Sequence, residues 1–154
     1  MRSEGAASRG DVMAHEQVST VEETLQKTYE WIRDVKEISG RWDSAKAFKM
    51  LRAVLHVLRD RLTVDEAAHL GAQLPAMVRG FYYEGWKPAA HPSRIRSKEE
   101  LWDAISEELN DPQVDPQQAL EAVLTLLNHR ITRGELDDVR AMLPPELREL
   151  WPST

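Results

Sequence analysis

The chain has no cysteine among its 154 residues. That excludes disulfides, thiolate nucleophiles, cysteine-ligated zinc and iron–sulfur clusters, and it fits a reducing compartment, so we expect a cytoplasmic protein. Long apolar runs are also missing: no stretch approaches the roughly 20 residues that span a bilayer, and the N-terminus lacks the apolar region of a secretion signal. Basic residues are in deficit, 20 Lys and Arg against 26 Asp and Glu, giving a net charge of -6. A protein that tracks phosphates or anionic lipid needs the opposite balance on at least one face, so neither nucleic acid nor membrane is an expected partner. Glycine-rich phosphate loops, nucleophile elbows and paired-carboxylate motifs do not occur, and period-two alternation is absent. Catalysis has no visible carrier.

What the sequence does contain is helical periodicity with legible punctuation. Residues 1–17, "MRSEGAASRGDVMAHEQ", are small and polar and read as an unstructured tail, with Met13 an alternative start to Met1. From Val18 the apolar positions Val21, Leu25, Thr28, Trp31, Ile32 and Val35 recur at helical spacing, opened by a capping box from Thr20 to Glu23 and closed by Gly40. A second helix carries the stripe Phe48, Leu51, Leu55, Leu58 and Leu62, and a third opens on Thr63 and Glu66. Further starts are marked by Pro75, by Ser97 with Glu100, and by Asp115 with Pro116. The fold class is all-α.

An internal match organises these helices. Shifting the chain by 69 residues lays Leu51 to Tyr82 over Leu120 to Trp151 without a gap, and twelve of the 32 positions are identical, among them Arg61/Arg130, Thr63/Thr132, Glu66/Glu135, Leu74-Pro75/Leu143-Pro144 and Arg79/Arg148. Ordinary residue frequencies give about two to three. The expected architecture is one helical domain over 18–154 made of two pseudo-symmetric repeats, 18–86 and 97–152, each of about three helices and a short fourth. Residues 87–96 would link them.

Candidate functional residues cluster in "QLPAMVRGFYYEGWKP", Gln73 to Pro88. Phe81 and Tyr82 fall on Leu150 and Trp151 of the second copy and read as core. Tyr83 and Trp86 have no such counterpart, so with the repeated Arg79 they form the candidate binding or interaction site. Arg79 and Arg148 are expected in salt bridges between the repeats. Glu66 and His69 have the Glu-x-x-His spacing that di-iron bundles use, and Glu135 and Asp138 occupy the matching positions. Because Glu66 already belongs to a cap and no acidic residue interrupts the apolar stripes, no metal and no cofactor are expected. His15, His56, His91 and His129 lack partner spacing and read as surface or satisfied histidines. Lys87, His91, Arg94, Arg96 and Lys98 form a basic island, read as a solvated loop.

The segments "LRAVL", "AQLP" and "RGFYYEGW", with the later "LPPELRELW", resemble the bacterial domain-of-unknown-function 2267 family over roughly Val21 to Pro152. The resemblance implies a small helical bacterial protein, alone or attached to other modules, and brings no catalytic residues with it. The expected function is therefore a non-catalytic interaction or scaffold module, binding a protein partner or itself. The alternative is a small-molecule sensor or enzyme with its site near Arg79, Tyr83 and Trp86.

Overall fold

The structure is a computed structural model that describes the backbone of residues 9–153 and the side chains of residues 18–153. Among the described residues there are eight α-helices, one short 3-10 turn and no strand: α1 (Arg9–Ser39), α2 (Ser44–Arg61), α3 (Val64–Ala72), α4 (Ala76–Tyr83), the turn Pro88–Ala90, α5 (Lys98–Leu109), α6 (Pro116–Arg130), α7 (Arg133–Met142) and α8 (Pro145–Arg148). The all-α expectation holds.

Local chemistry explains most of the boundaries. Gly40 takes φ 71°, a left-handed conformation that costs glycine little, and ends α1. Asp43, Thr63, Ser97, Asp115 and Thr132 each accept a backbone N–H at the start of the following helix. The start of α1 differs from expectation. It lies at Arg9, so the backbone of 9–17, expected as tail, is helical, and Thr20 sits inside the helix rather than at its cap. Once a helix is nucleated, each added residue gains a hydrogen bond for little entropy, and no proline interrupts the segment. Residues 1–8 of that expected tail lie outside the described residues.

Packing centres on α2, whose residues from Ala53 to Arg59 are all buried. It contacts α1, α4, α5 and α6, and α6 in turn contacts α1 and α5. Leu51, Val54 and Leu55 of α2 join Trp31 and Val35 of α1, Ile105 of α5, and Val123 and Leu127 of α6 in one continuous core. A helix enclosed on every side should be apolar on every side. The two polar residues within that enclosed stretch, His56 and Arg59, must therefore find partners inside the protein.

Polar ties fix the outer elements. Arg130, the last residue of α6, donates through Nε and Nη2 to Asp34 of α1, at 2.9 and 2.6 Å. Lys46 of α2 pairs with Asp111 in the turn between α5 and α6. Gln73, at the end of α3, accepts from the backbone N–H of Thr132 at 3.1 Å and donates to its hydroxyl at 3.0 Å, which joins the end of α3 to the start of α7.

Candidate functional site

His56 and Arg59 do find partners, and both reach toward the end of α4. Phe81 O, which can only accept, takes a hydrogen bond from His56 Nε2 at 2.7 Å, while Nδ1 lies 3.2 Å from Glu108 of α5. Arg59 Nη1 donates to Tyr82 O at 2.7 Å and Glu84 O at 2.8 Å, and its Nε to Asp60 at 2.8 Å. These are carbonyls at the C-terminal end of α4, where helix geometry leaves acceptors without donors. An open cleft of about 490 Å³ lies beside them, lined among others by His56, Arg59, Asp60, Glu84, Lys87 and Glu108. Most of its charges are already paired: Arg59 with Asp60, Glu84 with Arg52, and His56 with Glu108.

The structure brings Tyr83 and Trp86 together, with ring centroids 5.0 Å apart, and places Arg79 elsewhere in the same corner. Arg79 makes no salt bridge. Its Nε donates to Gly71 O at 2.7 Å and its Nη2 to Leu74 O at 2.8 Å and Ala72 O at 3.1 Å, so the guanidinium covers the free carbonyls at the end of α3. Arg148 does the same for α7, reaching Arg140 O, Ala141 O and Leu143 O at 3.1, 3.4 and 2.9 Å. The expected inter-repeat salt bridges are thus replaced by two arginine caps. The planar, five-donor guanidinium suits several carbonyls at once in a way that lysine cannot.

Tyr83 and Trp86 belong to a ladder of rings. Tyr82 meets Tyr83 edge-on at 5.0 Å, and Trp86 meets His91 edge-on at 5.7 Å. Trp86 Nε1 donates to His91 Nε2 at 2.7 Å, so His91 carries its hydrogen on Nδ1 and donates it to Leu62 O at 2.9 Å. His91 is consequently not part of a solvated basic loop: its side chain is 1% exposed and ties the linker to the end of α2. Ser93 N donates to Asp60 O at 2.7 Å and reinforces the tie. Tyr82, fully buried, donates its hydroxyl to Ala67 O at 2.7 Å, and burial before any charge pushes its pKa up.

Gly71 makes room for this ladder. A Cβ added there would stand 2.8 Å from Tyr83 Cζ and closer still to its hydroxyl, whereas Gly80 on α4 has nothing within 4 Å of such a group. Gly71→Ala is expected to displace the Tyr83 ring and cost about 1–3 kcal/mol. Gly80→Ala should gain up to about 1 kcal/mol from helix propensity. Urea unfolding of the two variants checks the contrast, and equal effects would refute the packing role of Tyr83.

A second group of charged side chains lies where α3 meets α7. Carboxylate oxygens of Glu66, Glu135 and Asp138 fall within 4.8 Å of one another, and His69 Nδ1 is 3.7 Å from Glu66 Oε2. Glu66 and Glu135 are 5% and 8% exposed, and Oε1 of each is buried without a hydrogen-bond donor. The reason the sequence reading excluded a metal here fails. Thr63 and Thr132 do accept from the backbone N–H of Glu66 and Glu135, at 3.2 and 3.4 Å, but neither carboxylate returns to its cap. Both turn inward instead. Burial, then the hydrogen bond and charge of Glu66, then the charge of Asp138, hold the Glu135 carboxyl above the ordinary glutamate range.

Between α2, α5 and α6 the packing is nearly complete. The crevice bounded by Val54, Leu58, Leu101, Ile105, Leu124 and Leu147 measures about 30 Å³, room for little more than one water. Arg61 closes one side, 8% exposed, its pKa lowered by burial and then by the charge of Arg96.

With this geometry in view, comparison with known families gives a match to DUF2267, described as an uncharacterized conserved protein, over residues 28–150. The chain belongs to this family. The DUF2267 match covers everything from the middle of α1 through α8, and so takes in the α3–α7 junction, the ring ladder and both arginine caps. No curated protein matches the chain. Among the described residues, no helix is long and apolar enough to cross a membrane.

Proposed function

We propose that the protein is a non-catalytic helical interaction module whose contact surface is the outer stripe of α1, and whose partner is a second copy of the chain. The observation that carries this is the exposure of Val18, Val21 and Tyr29 at 54%, 59% and 64%. With the half-buried Leu25 they stand at intervals of three, four and four, which places all four on one helical face. The stripe is self-complementary. Antiparallel pairing centred between Glu23 and Thr24 sets Tyr29 of one copy over Val18 of the other, an aromatic ring on a β-branched side chain, as isologous contacts require.

Other features support the rest of the reading. Arg79 is engaged by three carbonyls, Trp86 by His91, and Tyr83 by Gly71 and its neighbouring rings, which leaves them stabilising the corner rather than addressing a ligand. A two-copy architecture is supported by the matching arginine caps, by the matching threonine caps and by the twelve identities at one offset. We place the protein in a bacterial cytoplasm, which the family resemblance and the lack of cysteine both fit.

Sedimentation analysis from micromolar to millimolar concentration tests the assignment. Wild type is expected to dimerise with concentration, and more tightly as salt screens the repulsion between copies of charge -6. Val21→Glu combined with Tyr29→Glu should be monomeric with unchanged helicity. A wild type that stays monomeric throughout, or a dimer that survives the double substitution, would overturn it.

A further inference from the structure

We propose that Glu66, Glu135 and Asp138, with His69 beside them, form a binding site for one divalent first-row transition cation at the α3–α7 junction. The inference is independent of the α1 surface. Two glutamates, each more than nine-tenths buried, face one another with an unpartnered oxygen apiece. Buried carboxylates are ordinarily hydrogen-bonded or ion-paired, because an unpaired charge loses its hydration without compensation. The opposing polar groups here are another carboxylate and the exposed Asp138, which raise the demand for positive charge instead of meeting it. The upward displacement of the Glu135 carboxyl expresses the same unmet demand.

The donor set indicates the kind of cation. Three carboxylate oxygens already lie within 4.8 Å of one another. A metal bound at about 2.0–2.2 Å needs oxygens no more than about 4.4 Å apart, so an inward shift of a few tenths of an ångström is enough. Asp138 is exposed and free to make that shift. His69 is also exposed, and its Nδ1 stands 3.7 Å from Glu66 Oε2, so a modest rotation brings an imidazole nitrogen to the same point. Carboxylates combined with one imidazole suit manganese, iron or zinc, whereas magnesium retains its water and calcium asks for six to eight oxygens. The two buried glutamates would hold the ion, and the solvent-facing side would keep open positions for water or a ligand.

The experiment uses the full chain stripped with a chelator and titrated with manganese chloride, with magnesium chloride in parallel. Thermal melting and manganese electron paramagnetic resonance are followed together. Wild type should retain one manganese per chain and melt several degrees higher in excess manganese, with little response to magnesium. Glu66→Gln and Glu135→Gln should each lower manganese affinity at least about tenfold, since each removes a buried ligand. Asp138→Asn changes an exposed side chain, will fold, and should also weaken binding by about tenfold. Glu37→Gln, remote on α1, should bind as wild type does. Absence of retained manganese in wild type, or manganese binding in Asp138→Asn and Glu135→Gln equal to wild type, would overturn the proposal and leave the glutamates as a pair that shares a proton.

Discussion

Replacing Arg59 with methionine is expected to destabilise the protein by about 3–5 kcal/mol, measured by urea unfolding followed by circular dichroism. The methionine keeps most of the volume of the side chain, so the loss isolates the guanidinium. Its two hydrogen bonds to Tyr82 O and Glu84 O serve the C-terminal carbonyls of α4, and Arg59 is 3% exposed. Each buried carbonyl left without a donor costs about 1–3 kcal/mol, and Asp60 also loses its partner. The end of α4 leads into Trp86 and the linker, so near-ultraviolet dichroism from the aromatic rings should change as well. Arg59→Lys should recover only part of the stability, because one ammonium cannot reproduce the forked contact. A loss under about 1 kcal/mol for Arg59→Met would mean that the carbonyls are served by water, and that Arg59 does not anchor α4.

Leu55→Ala should cost about 2–5 kcal/mol through the cavity it leaves, and Leu124→Ala should fall in the same range. The two leucines are 1% and 3% exposed and stand 69 residues apart. The expected order is Leu55 first. α2 is enclosed on all sides by α1, α4, α5 and α6, whereas α6 presents Glu121 and His129 to solvent and its neighbours can relax toward a vacated space. Calorimetry of both variants reads the ranking. If Leu55→Ala melts as wild type does, α2 is not the centre of the core.

The helical plan was legible because its signals are local. A threonine or aspartate before an apolar run, a glycine at φ 71° and a three-four spacing each act within one or two turns. What escaped notice depends on which helices become neighbours. Nothing within "TVDEAAH" tells that Glu66 will face Glu135 and not bend back to Thr63; that follows from α3 lying beside α7. The clue was present as Glu at the same position of both copies, followed at the third residue by His or Asp, and the cap reading absorbed it. Arg59 also had a signal. In "AVLHVLRD" the apolar stretch is too continuous for a surface helix, so any charge inside it needs an internal partner. His91 had none, because its role rests on Trp86 and on a carbonyl at the end of α2. Arg79 was visible as a repeated residue, but only the folded turn shows that its reach matches three carbonyls five to eight positions back.

In the two-copy reading, positions 69 residues apart touch directly only beside the axis that relates the copies, and Glu66 with Glu135 is such a pair. An ancestral single unit that paired with itself would have set one glutamate against its own image, flanked by two identical residues at the third position. Such a dimer closes only with a proton or a cation on the axis. Fusion into one chain releases that constraint, since each half can then change alone. The present sequence holds His69 on one side and Asp138 on the other, an imidazole and a carboxylate where strict symmetry would have imposed two of the same kind.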